Sequence, residues 1–250
     1  MLVLAAMACG LPGGLDIGGD AGEAGDTGDG SGDGGDGGDS DFIAEDLDAL
    51  DSYRLEMTWR VESEDGSESY EMIFVEEWTR DPPARHLMMS GSETGAETTP
   101  FTEIITIEDT TWVRMGDTWM EMPAPEGAWM SDAWEGFFAD VDDWNYEGSE
   151  TVNGVNCRHY ISGGETTFTV PDPETGGTAT IDAEAEIWVA DESGLPSVVV
   201  RQRARIEGGF IPLPTAGVPA DGGGTVYLES DLTSINEPIS IQPPEDVTDF

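Results

Sequence analysis

From Ser52 onward the sequence alternates with a period of two, and this pattern limits the possible folds more than any other feature. Tyr53, Leu55, Met57, Trp59 and Val61 are apolar; Arg54, Glu56, Thr58, Arg60 and Glu62 between them are polar. Successive side chains of a strand point to opposite faces, so the pattern specifies a strand with one dry and one wet face. Tyr70–Trp78 follows the turn signal Asp65-Gly66, and Asp81-Pro82-Pro83 ends it. Arg85–Ser90 and Phe101–Ile107 read as further strands, and Thr111–Arg114 and Thr118–Met122 flank Gly116-Asp117 as a tight hairpin. Beyond Asp143 the strands resume: Asn153-Gly154 turns into Asn156–Ser162, Ala179–Ala190 pairs with Pro196–Glu207, and Thr225–Ser230 comes last. Taken as a two-residue loop, Ser193-Gly194 sets Glu186 opposite Arg201, Glu184 opposite Arg203 and Asp182 opposite Arg205. Opposite charges directly across an antiparallel pair contribute roughly 0.2–1 kcal/mol each.

Two segments have helical spacing instead. Phe42–Leu50 carries Ile43, Leu47 and Leu50 on one side. In 129–141, Trp129, Met130, Ala133, Trp134, Phe137, Phe138 and Val141 recur on one helical face. The fold class is therefore α+β, mainly β: about ten antiparallel strands with one dry face, which a helix must cover. The aromatic helix is the obvious cover.

The first ten residues run from an apolar stretch through small residues to Cys9, and from Gly10 the chain turns into Gly and Asp. Ala6-Met7-Ala8-Cys9 resembles the lipobox that ends a bacterial lipoprotein signal peptide. The resemblance implies cleavage before Cys9, a diacylglyceryl thioether on its sulfur, and a lipid anchor on the outer face of a membrane, periplasmic or extracellular. Met1–Ala8 holds no Lys or Arg and is short for an apolar signal region, so the full signal is expected to begin upstream. Residues 1–9 are then the signal remnant with its lipid-anchor cysteine. Residues 10–41, almost only Gly, Asp, Ala and Ser, are a disordered tether on the order of 30 Å long. Residues 42–250 form the folded domain.

Charge excludes whole classes of function. The formal net charge is -44, with 53 acidic residues, nine basic residues and no lysine. Affinity for phosphate backbones comes from Lys and Arg, so a nucleic-acid partner is excluded. A phosphate-binding P-loop needs the lysine that the chain lacks. With Cys9 acylated, Cys157 is a lone thiol, expected to be an inert core cysteine, and neither a disulfide nor a zinc site is open to it. His86 and His159 lie in strand-like runs outside any metal-ligand spacing and read as structural histidines. Acidic residues are too abundant for any pair to indicate acid–base catalysis. No cofactor, metal or catalytic residue is expected, and the chain reads as a non-enzyme.

Leu50-Asp51-Ser52-Tyr53-Arg54, Trp112–Trp119, Gly154–Tyr160, Ile187–Pro196 and Asn236-Glu237-Pro238 together are similar to the LolA/LolB-like superfamily, nearest the LppX/LprG-type bacterial lipoproteins. The resemblance covers roughly 42–250. It implies a curved antiparallel sheet, an unclosed half β-barrel, wrapped round one or two helices and enclosing an apolar cavity for acyl chains. Trp129, Trp134, Phe137 and Phe138 would line that cavity from the helix, facing Met57, Trp59 and Phe74 from the sheet. The expected partner is a lipid or similar apolar ligand, held by a monomer acting as carrier or sensor. The chain lacks the basic cavity-mouth residues of some carriers of anionic glycolipids, which argues against a phosphorylated ligand. The alternative is a cavity-less envelope interaction or scaffold module, or a sensor that binds a protein partner. Arg201, Arg203 and Arg205, the only basic row, are expected to form a structural ladder rather than a head-group site.

Overall fold

The computed structural model describes residues 47–63, 69–93, 99–123, 144–163, 166–172, 177–207 and 224–248, all within the unit Gly38–Phe250. The signal segment 1–9, the tether 10–41 and the aromatic helix expected at 129–141 lie outside the described residues.

The alternating runs become strands β1 (Ser52–Ser63), β2 (Ser69–Arg80), β3 (Pro83–Glu93), β4 (Thr99–Ile107), β5 (Thr110–Met115) and β6 (Thr118–Met122). After the β6–β7 connection come β7 (Trp144–Val152), β8 (Val155–Ser162), β9 (Thr166–Asp172), β10 (Gly177–Ala190), β11 (Val199–Glu207), β12 (Gly224–Thr233) and β13 (Val247–Thr248). All thirteen join one sheet in the order β13-β6-β5-β4-β3-β2-β1-β12-β11-β10-β8-β7, with β9 beside β10. The sheet is two meanders joined where β12 returns to β1, from Arg54↔Thr233 to Ser63↔Gly224. Its ends do not pair, so it is not closed into a barrel. The β6–β7 connection links strands near opposite margins.

Turn chemistry decides the hairpins where the backbone needs it. Asn153 and Gly154 both adopt positive φ, 51° and 87°, the twist that a two-residue hairpin requires and Asn-Gly supplies. Segments that carry the family resemblance meet in space. The Asp51 amide donates to Asn236 Oδ1 at 2.7 Å, and Ser52 Oγ donates to the Glu237 carbonyl at 2.6 Å. Likewise the Asp191 amide donates to the Asn156 carbonyl at 2.8 Å, tying the β10 exit to β8.

Three expectations are corrected. Glu186 faces Arg203 and Glu184 faces Arg205, two residues from the register expected. The connection is longer than Ser193-Gly194: β11 begins at Val199, not Pro196, because proline has no N–H for the ladder. The shift is even, so every side chain keeps its face. The sheet is not wholly antiparallel, since β13 pairs with β6 in parallel at Trp119 and Met120. Neither β13, two residues long, nor β9, a Thr-rich strand ending Pro171-Asp172, presents a readable alternation. Of the helix expected over 42–50, Leu47–Ala49 form a 3₁₀ turn, the only helical element among the described residues, and 42–46 lie outside them. A 3₁₀ turn eclipses positions three apart, so Leu47 and Leu50 still both enter the core.

The core lies on one face, called inner here. β1 contributes Tyr53, Leu55 and Met57; β2 Met72 and Phe74; β11 Val200, Ala204 and Ile206; and β12 Val226, Leu228 and Leu232. Alternation fails on β8, where Cys157 and Tyr160 are both buried at opposite parity, and most clearly near the end of β10. There Ile187, Trp188, Val189 and Ala190 are all buried, and the register with β11 shifts between Trp188 and Val189.

Candidate functional site: the inner face of the sheet

Met57 and Phe74 stand directly opposite each other on β1 and β2, and their side chains are 0% and 3% exposed. The Trp59 ring sits 5.7 Å from that of Phe74 at 59°, a tilted aromatic pair worth about 0.5–1.5 kcal/mol beyond burial. Three of the seven residues expected to line a ligand site therefore come together. Trp129, Trp134, Phe137 and Phe138 lie outside the described residues.

Polar groups interrupt this apolar face at two places. Glu76 is fully buried on β2; Tyr53 Oη donates to its Oε1 at 3.1 Å, and Arg85 Nη1 stands 3.7 Å away. Tyr53 also stacks on Trp78, centroids 5.4 Å apart. A carboxylate at this depth persists because the phenol and guanidinium replace its water. The second interruption is Gln202 on β11, 6% exposed, in one cross-strand row with Ser230 and Met57. Its Oε1 has no hydrogen-bond partner, and neither has the buried Nε1 of Trp59. Sequence reading missed both residues, although parity places them. Glu76 shares the phase of Met72, Phe74 and Trp78, and Gln202 that of Val200, Ala204 and Ile206.

The outer face is a different surface. On the two faces together the nine basic side chains are all arginines, each with an acidic partner within 4.0 Å. The row Arg201, Arg203, Arg205 pairs chiefly with β12: Arg201 Nη2 reaches Asp231 at 2.6 Å and Arg203 Nη2 reaches Glu229 at 2.7 Å. Arg205 Nη1 lies 3.6 Å from Glu184. An open groove of about 420 Å³ crosses this face, lined by Arg60, Glu71, Glu186, Arg203, Arg205 and Tyr227, among others. Its guanidinium charges are already compensated. His86 Nε2 contacts Glu103 at 2.8 Å, and His159 stacks on Trp188 at 4.3 Å between Glu150 and Glu186. Among the described residues, no group of three or more His, Cys, Asp and Glu is placed to hold a metal.

Cys157 is fully buried, and burial, the main cause, pushes its thiol up to about 11. A thiol protonated at neutral pH is a poor nucleophile. The arrangement is suited to binding, with an apolar face on one side and a self-compensated charged face on the other.

No family model matches the chain, and no curated protein matches it. Among solved structures, it is similar to LprF from Mycobacterium bovis, at 16% identity over 78% of this chain and 90% of that one, TM-score 0.40. It is also similar to a LolA superfamily protein from Nitrosomonas europaea, at 9% identity over 77% and 88%, TM-score 0.28. A DUF1329 family protein from Desulfovibrio piger gives 12% identity over 78% and 89%, TM-score 0.24.

Proposed function

We propose that this chain is a membrane-anchored extracytoplasmic lipoprotein that binds a lipid or other apolar ligand against the inner face of its open sheet, as a carrier or sensor. The observation that carries this reading is the cluster of apolar inner-face side chains centred on Met57, Trp59 and Phe74. The arginines are ion-paired, so nothing basic is left over for an anionic head group. In this reading the connection from β6 to β7, which must cross between margins, lays the aromatic helix 129–141 over that face. Trp129, Trp134, Phe137 and Phe138 then oppose the sheet. The chemistry is binding only. Each buried methylene contributes about 0.8 kcal/mol, so one sixteen-carbon chain contributes on the order of 12 kcal/mol before the cost of association. Release follows movement of the helix, and the envelope location and membrane anchor rest on Cys9 within its lipobox-like sequence.

A second reading, a packed envelope interaction or scaffold module, is favoured by one observation: Met57 and Ile206 have no exposed surface. Native mass spectrometry of the full chain purified from a bacterial host separates the two. Co-purifying mass that organic extraction removes and identifies as lipid supports the carrier or sensor. A clean ligand-free mass, with no uptake from added lipid vesicles, overturns it.

A further inference from the structure

Trp59 Nε1 and Gln202 Oε1 are buried on the inner face with no hydrogen-bond partner among the described residues. Buried polar atoms in native proteins are nearly always hydrogen-bonded, and an orphan costs more than a typical bond returns, so each one calls for an explanation. Their neighbours on that face are Leu228, Ala204 and Ile206, with the buried Ser230 directly across from Gln202. Register fixes their relation. Trp59 pairs with Leu228 and Leu228 with Ala204, while Gln202 is the next same-face position along β11. Two strand spacings across and one same-face step along put the backbones about 12 Å apart. One orphan is a donor and the other an acceptor.

We infer that Trp59 and Gln202 are specificity-determining anchors for a lipid whose polar group is uncharged and both accepts and donates, a hydroxyl or an amide. Trp59 Nε1–H donates to its oxygen, and Gln202 Oε1 accepts its O–H or N–H. A plain hydrocarbon leaves both orphans unsatisfied, and an anion finds its cationic partners already taken: Arg85, the arginine beside Glu76 on this face, is paired with it. This inference rests on the apolar-ligand reading above.

The test uses the full chain freed of co-purified material and titrated calorimetrically with 1-mono-oleoylglycerol, methyl oleate, oleate and 1-octadecene delivered from cyclodextrin. The wild type is expected to bind mono-oleoylglycerol at least tenfold more tightly than 1-octadecene. Trp59→Phe and Gln202→Leu each cut that preference roughly 3- to 10-fold, the size of one net hydrogen bond. The inference is overturned if both variants keep the wild-type preference, which would assign the orphans to bound water. It is equally overturned if oleate binds best, or if 1-octadecene binds as well as the glyceride. Binding of none of the four compounds sinks the apolar-ligand reading along with it.

Discussion

Removing Arg85 is expected to damage the fold more than removing its buried partner Glu76, although Arg85 is the more exposed of the two. The Arg85 side chain is 19% exposed and Glu76 is 0% exposed. In Arg85→Met, the Glu76 carboxylate stays in the core with the Tyr53 hydroxyl as its remaining named donor. Breaking a buried ion pair by removing one partner costs about 3–5 kcal/mol. In Glu76→Leu, the charge itself is gone. Tyr53 loses an acceptor, at about 1–2 kcal/mol, while Arg85 keeps access to solvent and to Asp48 at 4.0 Å. Replacing both members by apolar groups of similar size costs about 1–2 kcal/mol, since apolar replacement of a buried pair is often close to neutral. The double-mutant cycle then returns a coupling of about 4 kcal/mol. Urea unfolding of the full chain, read as midpoint shifts at constant slope, measures all three variants. Equal costs for the two single variants, or additivity within about 0.5 kcal/mol, would refute the reasoning.

Other consequences are simpler to check. With its thiol pushed up to about 11, Cys157 is about 0.1% thiolate at pH 8, so it should resist a disulfide reagent until urea unfolds the chain; rapid native labelling would contradict its burial. The raised value also fixes a sign. Above about pH 9 the unfolded thiol ionises first, so stability contributed by Cys157 falls between about pH 9 and pH 11, by at most about 2–3 kcal/mol. Cys157→Ala should therefore lose less stability than wild type across that window, and parallel curves would be the contrary result. Leu228→Ala, at a side chain 2% exposed, should cost about 3–4 kcal/mol. Arg203→Met, on the outer face, should cost under about 1 kcal/mol and less in high salt. The opposite ranking in denaturation curves would mean that the faces are misassigned.

Much of this architecture was legible in the sequence because strand parity is a local property. Tyr53, Leu55 and Met57 announce the inner face of β1, and Asn153-Gly154 announces its turn. Register is not local. The β10–β11 pairing differs by two residues from the simplest loop reading, and alternation cannot detect an even shift, because every residue keeps its face. Glu76 was hidden by composition, since one buried carboxylate among 53 acidic residues carries no signal until Tyr53 and Arg85 converge on it. Gln202 was hidden by its own neighbours, because it interrupts the Arg201, Arg203, Arg205 series that draws attention to the outer face. β13 pairs two residues with a strand more than a hundred positions earlier, a contact no periodicity encodes. Met57, Trp59 and Phe74 are neighbours because they share one phase on adjacent strands.

Photo-crosslinking tests the central claim, that a ligand occupies the inner face, most directly. The full chain, freed of co-purified material, is incubated with an oleoyl glyceride carrying a diazirine in its acyl chain, irradiated, and mapped residue by residue by tandem mass spectrometry. Adducts on Met57, Trp59, Phe74 and Leu228, competed away by unlabelled glyceride, are the predicted result. Adducts confined to the outer groove at Thr58, Glu71 and Tyr227, or none above an irradiated control without competition, would contradict it.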